Sequence, residues 1–516
     1  MIVTVAELLS KADKTPEYWT EVLIKQHGSI FVTAYNQISE VLFPSYDYLP
    51  QHFKMFFLYM GAFPPYIDIH PILINSLSSA EGFVEPIGEE SFADLSNECW
   101  KKLSRRYHLV LEIANYKFPV SSYRVHSCLQ HLCKKETSRI KFMHVLESCD
   151  DVIRDQRRLC VHWNSLFCFK QVCDSIKSDC ASTVRSLLCF GPCHSYPVPI
   201  LDMGLKLLRV LDAAYVRFYH IPIEILKLVC LQYLALTCNG DLPPSISNLF
   251  HLQFLIIGRH MNIKKRGVQS YMPVQIWDMQ ELEHIQIWGR DLPTPNTDAT
   301  LDKLIILVGV SASSCTREVL KRIPNLKVLR IEVELKPYDD EDETNSLSCL
   351  SYISQLQNLD RLEYHVVNPE MKYEFNTIPL SMFPSSLKEL HLSGLGYPWK
   401  YMNDIGSLLP NLGMLVLRCY AFRGLEWEIT LGSFLKLTTL IIEDTDLVQW
   451  RPQRGSFPDL RTLSMEHCYK LQQLEWPYDH SWITTIELVE CNPLAVACAN
   501  QLRDKFSFKL MVDTSF

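Results

Sequence analysis

The sequence predicts an α/β fold, with a helical, winged-helix-like head followed by a solenoid of short repeats in horseshoe form. Three observations carry that expectation. A Leu-x-x-Leu-x-Leu register recurs through the C-terminal two-thirds, residues 1–137 show no such repeat, and 516 residues are too many for one compact core.

The register opens at Val184, Leu208, Leu231, Leu252, Leu282, Leu304, Leu326, Leu359, Leu387, Leu412, Leu437, Leu460 and Ile483, with spacings of 21 to 33 residues. "LQYLAL" (231–236), "LKELHL" (387–392) and "LRTLSM" (460–465) show it plainly. The period is that of leucine-rich repeats, ~20–29 residues each. One strand per repeat turns its leucines inward, and no repeat can bury them without neighbours on both sides. Residues 181–516 are therefore expected to form the repeat domain. Within 301–310 the register fits from Leu301 or from Leu304. The long spacing after Leu326 holds five consecutive acids, Asp339 to Glu343, which fit a solvated loop better than a dock for a basic partner.

The head reads as helices followed by a hairpin. Thr15-Pro16-Glu17 is a helix start, with Thr as N-cap, Pro at the first helical position and an acid in the first turn. Trp19, Leu23 and Ile24 give that helix an apolar face. "SYDYLPQHFKMFFLYMGAFP" (45–64) reads as a turn and then a buried helix that stops before Pro64-Pro65. Further helices are expected at 71–79 and 88–106, then extended stretches at 107–113 and 120–126 joined by "ANYKFP". This order makes 38–137 a winged helix, with 138–180 as a linker of capping helices. Winged helices often bind DNA, but here Lys101, Lys102, Arg105 and Arg106 are offset by Glu89, Glu90, Asp94 and Glu98. A net charge of −8 and a pI near 6.1 supply no positive surface for phosphates, so no nucleic-acid partner is expected.

No apolar run approaches the ~20 residues that span a bilayer, so no integral membrane segment is expected and peripheral association stays open. The start, "MIVTVAELLSKADK", lacks the basic lead and small-residue cleavage site of a signal peptide. The 18 cysteines are scattered at apolar positions such as Cys189, Cys230 and Cys419, with no C-x-x-C pair and no Asn-x-Ser/Thr site. Buried free thiols in a reducing compartment fit best, so a cytoplasmic protein is expected.

"YRVHSCLQHLC" (123–133) sets two histidines and two cysteines close together. On a helix, His126 and Cys133 lie on one side, and Cys128 and His131 on the other. His126 and Cys133 are also about 10 Å apart along the axis, so one tetrahedral zinc cannot reach all four. No metal is expected. A core helix accounts for Cys128, Leu129, Leu132 and Cys133 but leaves His126, at the strand–helix junction, without a role.

Taken together, these segments resemble the plant nucleotide-binding leucine-rich-repeat disease resistance proteins of the coiled-coil class, and among them the late blight resistance type. The 45–64 stretch resembles the motif that opens their winged-helix domain, and "SSAEGFV" (78–84) is similar to the "AEGF" segment that follows it. Val125-His126-Ser127 stands where the family carries Met-His-Asp, and "LPPSISNLFHLQFL" (242–255) matches their repeat style. The resemblance implies that 1–37 is a remnant of the helical subdomain preceding the winged helix, and that His126 lies beside the β-phosphate of bound ADP. Val125 and Ser127 in place of Met and Asp make that sensor degenerate. It further implies an N-terminally truncated family member, because the sequence opens just past the family's Gly-Leu-Pro-Leu motif and contains no G-x-x-x-x-G-K-[ST] phosphate loop.

Without that loop the family's ADP/ATP switch has no cradle here, so the chain as given is expected to hold no cofactor and to catalyse nothing. There is no G-x-S-x-G elbow, H-E-x-x-H helix or other acid–base constellation. The implied function is intracellular immune recognition: the repeats bind a pathogen effector or an effector-modified host protein and trigger a hypersensitive response. The alternatives are a non-switching leucine-rich-repeat scaffold and, ranked lower, an F-box-type receptor.

Between the leucines, alternate residues turn outward onto the concave face. Early repeats place Tyr233, Phe254, Ile256, His284 and Trp288 there. Later repeats place Arg330, Arg361, Glu363, His391, Arg418, Glu443 and Glu466. Tyr233, Phe254 and Trp288 are expected to pack against the head in an intramolecular contact. Arg361, His391 and Arg418 are expected to stay open to a partner protein.

Overall fold

The computed structural model describes residues 2–11, 15, 29–64, 67–83, 92–113, 122–146, 156–162, 182–190, 204–259, 271–288, 290–334, 350–367, 383–476, 483–506 and 508–513. The chain divides into two compact units, residues 1–240 with 248–260, and residues 241–247 with 261–516. The Thr15-Pro16-Glu17 helix start and the acidic run 339–343 lie outside the described residues, apart from Thr15 itself.

In the first unit the head comprises α1 (Ile2–Lys11), α2 (Ser29–Asp47), α3 (Gln51–Tyr59), α4 (Pro71–Ala80), α5 (Phe92–Arg105), β1 (Leu111–Ile113), β2 (Ser122–Arg124) and α6 (Ser127–Arg139). β1 and β2 pair antiparallel, and Ile69 bridges Tyr123 from the other side. The "FFLY" run makes α3 the centre of the head: Phe53, Phe56, Phe57, Leu58 and Tyr59 are all buried. The Phe56 ring meets Trp100 of α5 edge-on at 5.1 Å, the favoured geometry for aromatic quadrupoles. Just past α3, a Cβ on Gly61 would stand 3.2 Å from Cys133 Cβ, so the glycine lets α6 approach closely.

Six parallel strands complete this unit: β3 (His144–Leu146), β4 (Arg158–Val161), β5 (Ser186–Cys189), β6 (Val210–Phe218), β7 (Tyr233–Cys238) and β8 (Phe254–Gly258), each paired to the next. This corrects the expected boundary. Among the described residues of the 138–180 stretch, His144–Leu146 and Arg158–Val161 are strands of the parallel ladder, which therefore begins two strands before residue 181. Those strands carry no alternating pattern because both of their faces are covered, one by the leucine side and one by the head.

In the second unit, parallel strands run at His284–Ile287, Ile306–Val310, Val328–Glu334, Arg361–Val367, Glu389–Ser393, Met414–Arg418, Thr439–Glu443, Thr462–Glu466, Thr485–Val489 and Lys509–Asp513. Each pairs with the next. Ile306 faces His284 across the ladder, so Leu304, two residues ahead of its strand like Leu282, holds the register in the 301–310 segment. All thirteen register positions from Val184 to Ile483 are buried. Behind the strands of the late repeats, Trp399 and Trp427 stack at 5.0 Å and Trp450 meets Trp476 at 5.3 Å. Among the described residues no helix is long and apolar enough to cross a membrane.

Candidate functional site

The outward residues of the first six strands are not a free surface, because the head sits on them. Cys160, Leu188, Phe190, Val210, Tyr233, Ala235 and Phe254 belong to one apolar cluster with Phe56, Tyr59, Phe63, Leu77 and Phe83. Phe63 stacks on Phe190 at 4.9 Å, and Tyr233 lies beside Phe254 at 6.0 Å. The Ala62 carbonyl, exposed by the tight turn after α3, accepts from the Cys160 thiol at 3.0 Å and lies 2.8 Å from His162 Nε2.

One ion pair locks this contact. Arg158 of β4 donates from Nε to Glu81 at 2.6 Å, and Glu81 also accepts from the Tyr59 hydroxyl at 3.3 Å. The Arg158 guanidinium lies over the rings of Phe142 and Phe83, at 4.5 and 5.4 Å. Glu81 and Phe83 are the acid and aromatic of the "AEGF" segment, with Gly82 between them at φ +68°, a left-handed turn that a side chain would strain. Beneath the head, Asp212 of β6 is fully buried. It accepts from Ala214 N–H at 3.2 Å and from the Tyr233 hydroxyl at 3.4 Å. Burial pushes its carboxyl up to about 6, above the effect of those two hydrogen bonds.

His126 is the N-cap of α6: its ring Nδ1 accepts from Cys128 N–H at 3.2 Å. That gives the junction histidine a structural role, and His70 caps α4 in the same way through Ile72 N–H. The neighbouring Val125 is buried and Ser127 begins the helix. The other groups of the 123–133 stretch diverge. Cys133 donates to the Phe57 carbonyl, while His131 stacks on Tyr35 and lies 3.2 Å from Asn36 Oδ1. Two of the head's basic residues are committed locally as well, Lys102 to Glu98 and Arg105 to Glu112 at 3.0 Å.

In the second unit the outward charges pair along the strands. Glu363 stands at the centre, 2.5 Å from Arg361, 3.4 Å from His365, 3.5 Å from Arg330 and 3.8 Å from His391. Burial alone would raise the Glu363 carboxyl, but the His365 hydrogen bond and the Arg361 charge outweigh it and hold the group well below the usual carboxylate range. Burial, reinforced by Arg361, pushes His391 down to about 3, so its ring is neutral. Arg418 Nε lies 2.8 Å from Glu443 Oε2 in an ion pair, and the Arg330 guanidinium covers the Trp288 ring at 4.8 Å. The expectation of an open charged end is thereby corrected. The side chains of Arg361, His391 and Arg418 are only 17%, 4% and 16% exposed. Pairing between strands about 4.8 Å apart draws long side chains down onto the sheet. Trp288 belongs to this unit, outside the apolar cluster that holds Tyr233 and Phe254.

The profile of the leucine-rich repeat region family matches residues 183–503, and the chain belongs to that family: it is a leucine-rich-repeat protein. Over 98% of its length it is 26% identical to a putative late blight resistance protein homolog of Solanum demissum, and 27% identical to homolog R1B-16 of the same plant. Over 92% of its length it is 27% identical to late blight resistance protein R1-A. The likeness to the late blight resistance type first seen in the 45–64 and 78–84 segments thus extends along the whole chain. The chain spans 40%, 38% and 37% of these three relatives. A solved leucine-rich-repeat protein of Leptospira interrogans superposes with a TM-score of 0.41 at 17% identity, over 70% of this chain and 90% of its own, a level that decides nothing further.

Proposed function

We propose that the chain acts in plant disease resistance as the recognition portion of a cytoplasmic receptor. In this reading the later repeats meet a pathogen effector or an effector-modified host protein, and the first repeats hold the winged-helix head until they do. The observation that carries it is the shared core of head and repeats, with Tyr233, Phe254 and the Glu81–Arg158 pair at its centre. Such a clasp is a two-state element that a ligand on the repeats can bias, provided the ligand binds one state better than the other. His126, its Nδ1 already engaged by Cys128 N–H, serves the head as a cap.

Transient expression in leaves tests the reading. Arg158→Glu and Phe254→Ala should give cell death without any effector, whereas wild type stays silent until challenged. Clasp variants as silent as wild type, in tissue where wild type responds to challenge, would count against the proposal. Purified wild-type chain should retain no ADP and gain no thermal stability from it, and stoichiometric bound ADP would reverse that part.

A further inference from the structure

We propose that Glu443, Asp444 and His467 form a divalent-cation site of the zinc class at the edge of the repeat sheet, with Glu490 and Arg418 orienting it. The donors come from consecutive repeats. Asp444, His467 and Glu490 each stand seven residues after a register position (Leu437, Leu460 and Ile483), immediately past the strand of that repeat. All three adopt the left-handed backbone, with φ of 53°, 52° and 48°. The parallel ladder therefore brings their side chains into one row, about 4.8 Å from repeat to repeat.

Within that row, His467 Nδ1 lies 3.9 Å from Glu443 Oε1 and 3.7 Å from Asp444 Oδ1, and all three ligand atoms fall within 4.8 Å of one another. Donors bound to zinc at ~2.0–2.2 Å stand a little over 3 Å apart, so closing this set requires movements smaller than a side-chain rotamer change. The orientation of each donor is fixed from outside. Glu490 Oε2 lies 3.2 Å from His467 Nε2, which directs Nδ1 toward the two other carboxylates. The Tyr469 hydroxyl holds Glu490 at 3.3 Å, and Arg418 Nε holds the other oxygen of Glu443 at 2.8 Å, leaving Oε1 toward the histidine. A carboxylate behind a histidine whose second nitrogen faces a metal is the usual support of zinc ligands. One imidazole nitrogen with two carboxylate oxygens suits Zn²⁺ better than Ca²⁺ or Mg²⁺, which favour all-oxygen shells. Asp444 is 40% exposed, so the fourth position is open to water or to a donor from a bound protein.

The rival arrangement is His467 held by three carboxylates with no cation, and the experiment separates the two. The full chain, stripped with chelator under reductant, is dialysed against Zn²⁺, and bound zinc is counted by elemental analysis. Wild type should hold one ion more than His467→Asn or Asp444→Asn, two variants that keep a residue tolerant of the left-handed backbone. Glu490→Gln should weaken that ion by roughly 10-fold. In wild type alone, Zn²⁺ should also block modification of His467 by diethyl pyrocarbonate, read by mass spectrometry. Equal zinc in wild type and folded variants, or unaltered modification of His467 under Zn²⁺, would leave the ion-paired histidine and overturn the site.

Discussion

Glu81 and Arg158 lie 77 residues apart in the chain and 2.6 Å apart in the fold, and both are largely removed from water. Their pairing joins the "AEGF" segment of the head to the second strand of the repeat ladder. Removing one member of a buried pair leaves the other charge uncompensated, at a typical cost of about 3–5 kcal/mol. Glu81→Gln and Arg158→Met should each destabilise the first unit by an amount in that range, and the double variant by less than the sum. Denaturant unfolding of the four proteins measures it. Strict additivity would show that the two side chains do not act as a pair.

Asp212 makes the same contact pH-dependent. Its carboxyl is raised from 3.8 to about 6 in the folded protein, so protonation favours the folded state. Its cost is therefore full above pH 6, is relieved as pH falls from 6 toward 4, and vanishes below that. Asp212→Asn should be more stable than wild type by about 1–3 kcal/mol at pH 7.5, with the difference closing by pH 4. Thermal unfolding at both pH values decides it. A variant less stable than wild type at pH 7.5 would mean that the charge itself is needed there.

His126 separates a structural from a nucleotide role. As an N-cap it is replaceable by another cap, so His126→Asn should keep the head's stability, while His126→Ala should lose on the order of 1 kcal/mol. Equal losses from both would point to a role specific to imidazole.

Glu363 is held ionised by His365, Arg361, His391 and Arg330, with its carboxyl below the usual range despite burial. The stability it contributes is present above the unfolded carboxylate range and is lost as pH falls below about 4. Arg361→Ala should cost stability at neutral pH, at the low end of about 3–5 kcal/mol, and should flatten the acid dependence of stability, because the Glu363 carboxyl then moves back up toward its unfolded range. A neutral effect would mark Arg361 as the open surface residue that the sequence alone suggests.

The repeat domain was legible because its unit prints itself: thirteen register positions, all buried, announce one strand each. The first two strands were hidden by the head. Cys160 of β4 and Val145 of β3 turn outward into it, so those strands lack the polar alternation that betrays a half-buried strand. The ionic clasp was hidden for a different reason. Nothing in the local context of Glu81 or Arg158 names a partner 77 residues away, and Asp212 in "RVLDAAY" reads as an ordinary turn acid until the head is seen above it. The His467 cluster did leave a signal. Aligning the sequence on its own period sets Asp444, His467 and Glu490 in one column, but outward positions inspected one strand at a time do not show it.

Phe254 offers the most direct test that head and first repeats are one folded body. It sits on β8, 6% exposed, in the cluster that includes Phe56, Tyr59 and Leu77 of α3 and α4. Phe254→Ala removes a buried aromatic, a change that commonly costs about 3–5 kcal/mol. Hydrogen exchange should then show faster exchange not only in 231–258 but also in Gln51–Tyr59 and Pro71–Ala80, some 170 to 200 residues earlier in the chain. Faster exchange confined to the strands around residue 254, with the head amides as protected as in wild type, would contradict the clasp.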